Sequence, residues 1–163
     1  MIRHTVRALC AASLVIAPLA LSSPAQAATS CTVNGIPVSS GTVNGTAGSD
    51  FIRCSTVNTG DTVNGLGGND YIAITGNVDG TVDGGLGSDY ITVQPGGIVN
   101  GIVRGGAGGD YVQVNNISPG GQVNGDSEGD YLRTGVNLGL VNGGTGFDVC
   151  RVAGGNPPVS CEV

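Results

Sequence analysis

Apolar positions recur in this chain with two periods, a short one inside each segment and a longer one between segments. Tyr71-Ile72-Ala73-Ile74 and Tyr90-Ile91-Thr92-Val93 alternate outward and inward positions, which predicts short β-strands. A looser apolar point follows each strand, at Val57, Val78, Val99, Ile117 and Val136. A third piece carries Val43, Val63, Val82, Val103, Val123 and Val141. Glycine, asparagine and proline separate the pieces, which is turn chemistry. No stretch after residue 27 has helical periodicity.

The longer period is set by aspartate. Asp50, Asp70, Asp89, Asp110, Asp130 and Asp148 follow one another at steps of 20, 19, 21, 20 and 18 residues. Five residues before each stands a glycine, and seven before stands the valine of the third piece. Two after stands Ile52, Ile72, Ile91, Val112, Leu132 or Cys150. The shared pattern is V-x-G-x-x-[G/E]-x-D-x-U, with U apolar. A unit of this size cannot bury a core alone, but stacked copies can. The expected fold is all-β: a right-handed parallel β-solenoid, β-roll or β-helix, of about six coils. The repeats span 43–152 within one domain, 28–163, with coils about 4.8 Å apart.

Residues 1–27 stand outside this pattern. Arg3, His4 and Arg7 precede an apolar run, Ala8 to Leu21, and Ala25-Gln26-Ala27 closes it in small-x-small form. This is the layout of a secretory signal peptide, too short for a comfortable membrane span. The expected location is therefore extracellular, with no membrane span in the mature chain.

Composition narrows the function classes. The only histidine is His4, and there is no lysine or tryptophan. Past residue 27, four arginines face twelve acids, a net charge of −8. A nucleic-acid partner is not expected of such a chain. Histidine-dependent catalysis and histidine-ligated metals are not expected either. Each coil adds only a few residues beyond the repeat, with no room for catalytic loops, so the chain is not expected to be an enzyme. Four cysteines remain after export, an even number suited to an oxidising compartment. Cys54 and Cys150 lie nearly five coils apart, far beyond the roughly 7 Å that a disulfide allows between Cα atoms. A solenoid therefore requires Cys31–Cys54 and Cys150–Cys161, one staple at each end.

The loops before the aspartates carry the candidate chemistry. Those at 84–89, 105–110 and 143–148 read G-G-L-G-S-D, G-G-A-G-G-D and G-G-T-G-F-D. The sequence here resembles the hemolysin-type calcium-binding repeat, the RTX nonapeptide. That resemblance implies Ca2+ between loops of adjacent turns. Its ligands would be the carboxylates of Asp50, Asp70, Asp89, Asp110, Asp130 and Asp148. Carbonyls of the glycine-rich positions, Gly84, Gly85, Gly87, Gly105, Gly106, Gly108, Gly143, Gly144 and Gly146, would complete the set. Independently, a row of carboxylates about 4.8 Å apart repels itself unless a cation sits between its members. The period near 20 and the single aspartate edge depart from tandem nonapeptides, and loop 125–130 adds Asp126 and Glu128.

The residue after each aspartate is Phe51, Tyr71, Tyr90, Tyr111, Tyr131 or Val149, with Arg53, Arg133 and Arg151 two further on. Alternation points both rows outward. They predict a stacked aromatic ladder. They also carry the alternative function: a metal-independent structural or adhesive surface protein that binds extracellular glycan or cell envelope through the tyrosine stripe.

Overall fold

The structure is a computed structural model and describes residues 28–162. The leader assigned to residues 1–27 lies outside the described residues. The chain opens with an antiparallel hairpin, β1 (Thr29–Val33) and β2 (Ile36–Ser40). Coils then follow in order: β3 (Thr42–Asn44) with β4 (Phe51–Cys54), β5 (Thr62–Asn64) with β6 (Tyr71–Ile74), and β7 (Thr81–Leu86) with β8 (Tyr90–Val93). After the short β9 (Ile98–Val99) come β10 (Ile102–Ala107) with β11 (Tyr111–Ile117), then β12 (Gln122–Ser127) with β13 (Tyr131–Asn137). The last coil holds β14 (Leu140–Thr145) and β15 (Val149–Gly155).

The first strands of the six coils pair in parallel as one sheet, β14-β12-β10-β7-β5-β3. The second strands form the other, β15-β13-β11-β8-β6-β4, extended by β1 and β2. The parallel β-solenoid expected from the repeat is therefore the fold. Register follows the motif residue for residue: Val103 pairs with Val82 and Val123, and Tyr111 with Tyr90 and Tyr131. A third side is held by single bridges, Val57 to Val78 and Val78 to Val99.

The core is a narrow column. Val43, Val63, Val82, Val103, Val123 and Val141 face Ile52, Ile72, Ile91, Val112 and Leu132, all fully buried. Val57, Val78, Val99 and Ile117 close the third side, as expected. Val136 does not, because it is 47% exposed and Asn137 occupies the buried position, paired with Ile117. The slip is explained by hydrogen bonds. Asn137 Oδ1 accepts the Gly139 N–H at 3.0 Å, and its Nδ2 donates to the Asn156 carbonyl at 3.0 Å. A satisfied amide can hold a tight corner that valine would fill only with apolar surface.

Both expected disulfides form, Cys31–Cys54 and Cys150–Cys161. They mark a non-cytoplasmic protein. Among the described residues no helix is long and apolar enough to cross a membrane. The second bridge ties the C-terminal tail to the last coil, where Val149 bridges to Glu162. Replacing Cys150 and Cys161 together by serine is expected to lower stability by about 2–3 kcal/mol. Denaturant melts check this, and an unchanged midpoint would mean the tail is held by its backbone contacts alone.

Candidate functional site: the aspartate column

The six motif aspartates stand in one row at the corner between the two sheets. They do not project into solvent, since each is at most 4% exposed. The reason is local. At this corner the N–H of each aspartate leaves the sheet ladder, and the next coil's aspartate side chain receives it. The bonds run Asp50 N–H to Asp70 Oδ1 (2.7 Å), Asp70 to Asp89 (2.7 Å) and Asp89 to Asp110 (2.8 Å). They continue from Asp110 to Asp130 (2.8 Å) and from Asp130 to Asp148 (2.9 Å). The aspartate carbonyl meanwhile accepts the N–H of the next coil's aromatic residue, as from Tyr90 to Asp70 at 2.8 Å.

Both ends of the row are capped by residues that the repeat does not contain. At the start, Asn34 and Gly35 form the hairpin turn with φ of 53° and 81°. Asn34 Nδ2 donates to Asp50 Oδ1 at 2.6 Å, and its Oδ1 accepts the Phe51 N–H at 2.9 Å. At the far end, Glu162 Oε2 accepts the Asp148 N–H at 2.6 Å, standing where a seventh aspartate would. Asn34-Gly35 is a recognisable hairpin dipeptide. Nothing in the local sequence around Glu162 marks its role.

The second oxygen of each carboxylate is a different matter. The Oδ2 atoms of Asp70, Asp89, Asp110, Asp130 and Asp148 are buried and have no hydrogen-bond partner. They crowd the glycine five residues earlier, together with a carbonyl oxygen of the following coil. At Gly84, for example, an added Cβ would meet both Asp89 Oδ2 and the Gly105 carbonyl oxygen. That is why glycine stands at this place in every repeat. It is also why the column is rich in acceptors and poor in donors.

Protonation energetics follow. Burial, only partly offset by the single backbone N–H, pushes Asp110 up to about 7 and Asp89 and Asp130 to about 6. Neighbouring carboxylates add to the rise. Asp70 is raised for the same reasons. Asp50 is the contrast. Burial acts on it too, but Thr46 donates its N–H at 2.5 Å and its hydroxyl at 3.0 Å, and with Asn34 these hold its carboxyl below the usual range.

The glycine-rich loops form the outer lip of this corner. In the five loops from 65–70 onward the second and fourth positions take left-handed backbone: Gly85 and Gly87 have φ of 106° and 119°. Leu66, Asp126 and Glu128 adopt the same region at 80°, 81° and 75°. Loop 125–130 therefore keeps the path of its neighbours, with Asp126 in register between Gly106 and Gly144. Its extra carboxylates are exposed at the rim and do not enter the column. Loop N–H groups already bond between coils, as from Gly87 to the Ala107 carbonyl at 2.8 Å.

Whether a calcium ion suits these residues can be judged from donor type and charge. Calcium takes six to eight hard oxygens at about 2.3–2.6 Å. The column offers one unpartnered carboxylate oxygen in each of five coils, from Asp70 to Asp148, with a backbone carbonyl close by. Among the described residues no three acidic, histidine or cysteine side chains converge on one point. An ion here would therefore take most of its oxygens from the backbone. The donor chemistry fits calcium, with one carboxylate charge supplied by each coil.

Compared with protein families, with curated proteins and with solved structures, the chain matches none of them.

Proposed function

We propose that this chain is a secreted calcium-binding β-solenoid of the kind the RTX repeat resemblance implies, with ions held along the aspartate column. One observation carries the reading: five successive coils bury a carboxylate oxygen that no donor meets. The bond made by Oδ1 does not require a carboxylate. Asparagine would accept the same backbone N–H, and its Nδ2 would give the nearby glycine carbonyl a donor. The chain uses asparagine freely elsewhere, as in the Asn44–Asn64 pair at 2.8 Å, yet all six column positions are aspartate. A buried charge without a counter-charge costs several kcal/mol. A cation removes that cost, and the supply of backbone oxygen favours a hard one.

In this reading calcium is chiefly structural. It binds the stacked chain and not the unfolded one, so it stabilises the stack. The Asp row and the glycine carbonyls hold the ions, between Asn34 at one end of the column and Glu162 at the other. The two disulfides, together with the leader expected at residues 1–27, support a location outside the cytoplasm, where calcium is plentiful.

The test is far-UV circular dichroism of the oxidised protein at pH 8, chelated and then titrated with calcium or magnesium. Calcium is expected to raise the melting temperature and magnesium to do much less. Asp89→Ala and Asp110→Ala should each weaken the response. A chelated protein that is fully β and insensitive to calcium would reject the proposal.

A further inference from the structure

The outward face of the β4–β15 sheet has a chemistry of its own. Its first row is a continuous aromatic stack. Ring centroids lie 5.1 Å apart for Phe51–Tyr71, 5.2 Å for Tyr71–Tyr90, 4.8 Å for Tyr90–Tyr111 and 5.0 Å for Tyr111–Tyr131, with planes within 13° of parallel. The expected ladder is thus formed, and its members stay partly exposed. Two residues along each strand runs a second row in register, Arg53, Ala73, Thr92, Gln113, Arg133 and Arg151. It is exposed at the three arginines, half-buried at Thr92 and Gln113, and buried at Ala73, contrary to the alternation expected there.

Charge is distributed unevenly. Three of the four described arginines are on this face, and none of the twelve acids is. The acids occupy the buried column, the opposite sheet, the turns and the C-terminal tail. The fourth arginine, Arg104, lies on the opposite sheet, where its charge acts on Asp83. A chain of net charge −8 past its leader therefore presents one basic, ring-lined face.

Arg133 and Arg151 are direct cross-strand neighbours, and both are exposed. Neither makes an ion pair among the described residues. The Arg151 guanidinium lies 5.8 Å from the Tyr131 ring centroid. Like charges directly opposite one another are destabilising unless something lies between them. Arg133 borders a hollow of about 150 Å³ with Gln113, Asn115, Gly135 and Ala153, and both arginines border an adjoining one with Thr134, Val152 and Ala153. The site thus combines two forked cations, a tyrosine wall and short amide side chains over a floor of small residues.

We propose that this face binds an acidic polysaccharide lying along the solenoid axis, its anionic groups seated at Arg133 and Arg151. Several features favour this occupant. The guanidinium pair suits carboxylate or sulfate groups, which arginine contacts through two parallel N–H bonds. The row of tyrosine edges and hydroxyls repeats once per coil, a spacing close to one sugar of an extended chain. Thr92, Gln113 and Asn115 supply hydrogen bonds for hydroxyl groups. Three arginines are too few to match the charge density of a nucleic acid. Apart from Phe51 at one end, the ring row is tyrosine, which gives a lipid surface no continuous apolar face to bury. The negative remainder of the molecule repels an anionic chain from every other side, which fixes where it docks.

The experiment is calorimetric titration, in chelator and at low salt, of the disulfide-bonded protein under conditions where its circular dichroism spectrum shows it folded. Chelation keeps the result independent of calcium. The probes are polygalacturonate and a sulfated glycosaminoglycan, with neutral dextran, single-stranded DNA and anionic phospholipid vesicles as comparisons. At least one acidic glycan should bind, weakening as salt is added. The double variant Arg133→Glu and Arg151→Glu should bind it at least about tenfold less well, with an unchanged circular dichroism spectrum. Arg104→Glu should bind as the parent does. The proposal is overturned if no acidic glycan binds or if Arg104→Glu weakens binding equally. It is also overturned if the double variant is unaffected while folded, or if dextran, DNA or vesicles bind as tightly.

Discussion

Gly84→Ala is expected to unfold the middle of the stack, at a loss of more than about 3 kcal/mol. The added methyl has nowhere to go. It falls on the Asp89 carboxylate and on the Gly105 carbonyl of the next coil. The first neighbour is fixed by its bond from the Asp70 N–H, and the second is backbone in the adjacent strand. Relief would require two coils to separate, which breaks ladder bonds on either side. Gly154→Ala provides the control. Nothing lies within 4 Å of its added Cβ, and alanine there should be neutral or slightly stabilising. Denaturant melts of the two variants decide the matter, and parental stability in Gly84→Ala would mean the corner is looser than described.

The metal-free protein is expected to lose stability as pH rises from about 4 to 8. The sign follows from the raised carboxyls. Unfolded, these groups titrate near 3.8, whereas in the fold Asp110 titrates near 7 and Asp89 and Asp130 near 6. Between those values the folded chain holds protons that the unfolded chain has lost. Stability is then fully present below the unfolded value. It falls through the window and levels off above the folded values. At about 1.4 kcal/mol per pH unit per proton, three coupled groups amount to several kcal/mol. Asp50, held low by Thr46 and Asn34, works in the opposite direction and offsets a small part. Asp110→Asn should flatten the curve, because an amide replaces the unpartnered oxygen with a donor. Melting temperatures in chelator at pH 4.5, 6 and 8 test this. A rise toward pH 8 would show that the carboxylates are satisfied without proton or metal.

Much of the fold is legible because each level of the sequence repeats in phase. Valine seven before the aspartate and an apolar residue two after it leave one way to stack, and that register is found. The two disulfides follow from the same geometry, since the solenoid holds its ends apart. What is not legible belongs to places where the repeat stops. Asn34 and Glu162 stand in for missing coils, and their roles depend on where the hairpin and the tail are tied. Val136 and Asn137 exchange places because two side-chain hydrogen bonds at a corner outweigh one buried methyl pair. The burial of the aspartates is also hidden. Aspartate beside glycine reads as an exposed turn, and only the neighbouring coil turns it inward.

The most direct test of the central claim is an ion count. The oxidised protein is equilibrated with calcium at pH 8, freed of unbound metal by rapid gel filtration, and analysed by atomic spectroscopy. Six stacked coils leave five gaps between them. The account predicts up to five calcium ions per chain, fewer in Asp110→Asn, with protons released when the ions are added near pH 6.5. A folded protein that retains no calcium and releases no protons would contradict it.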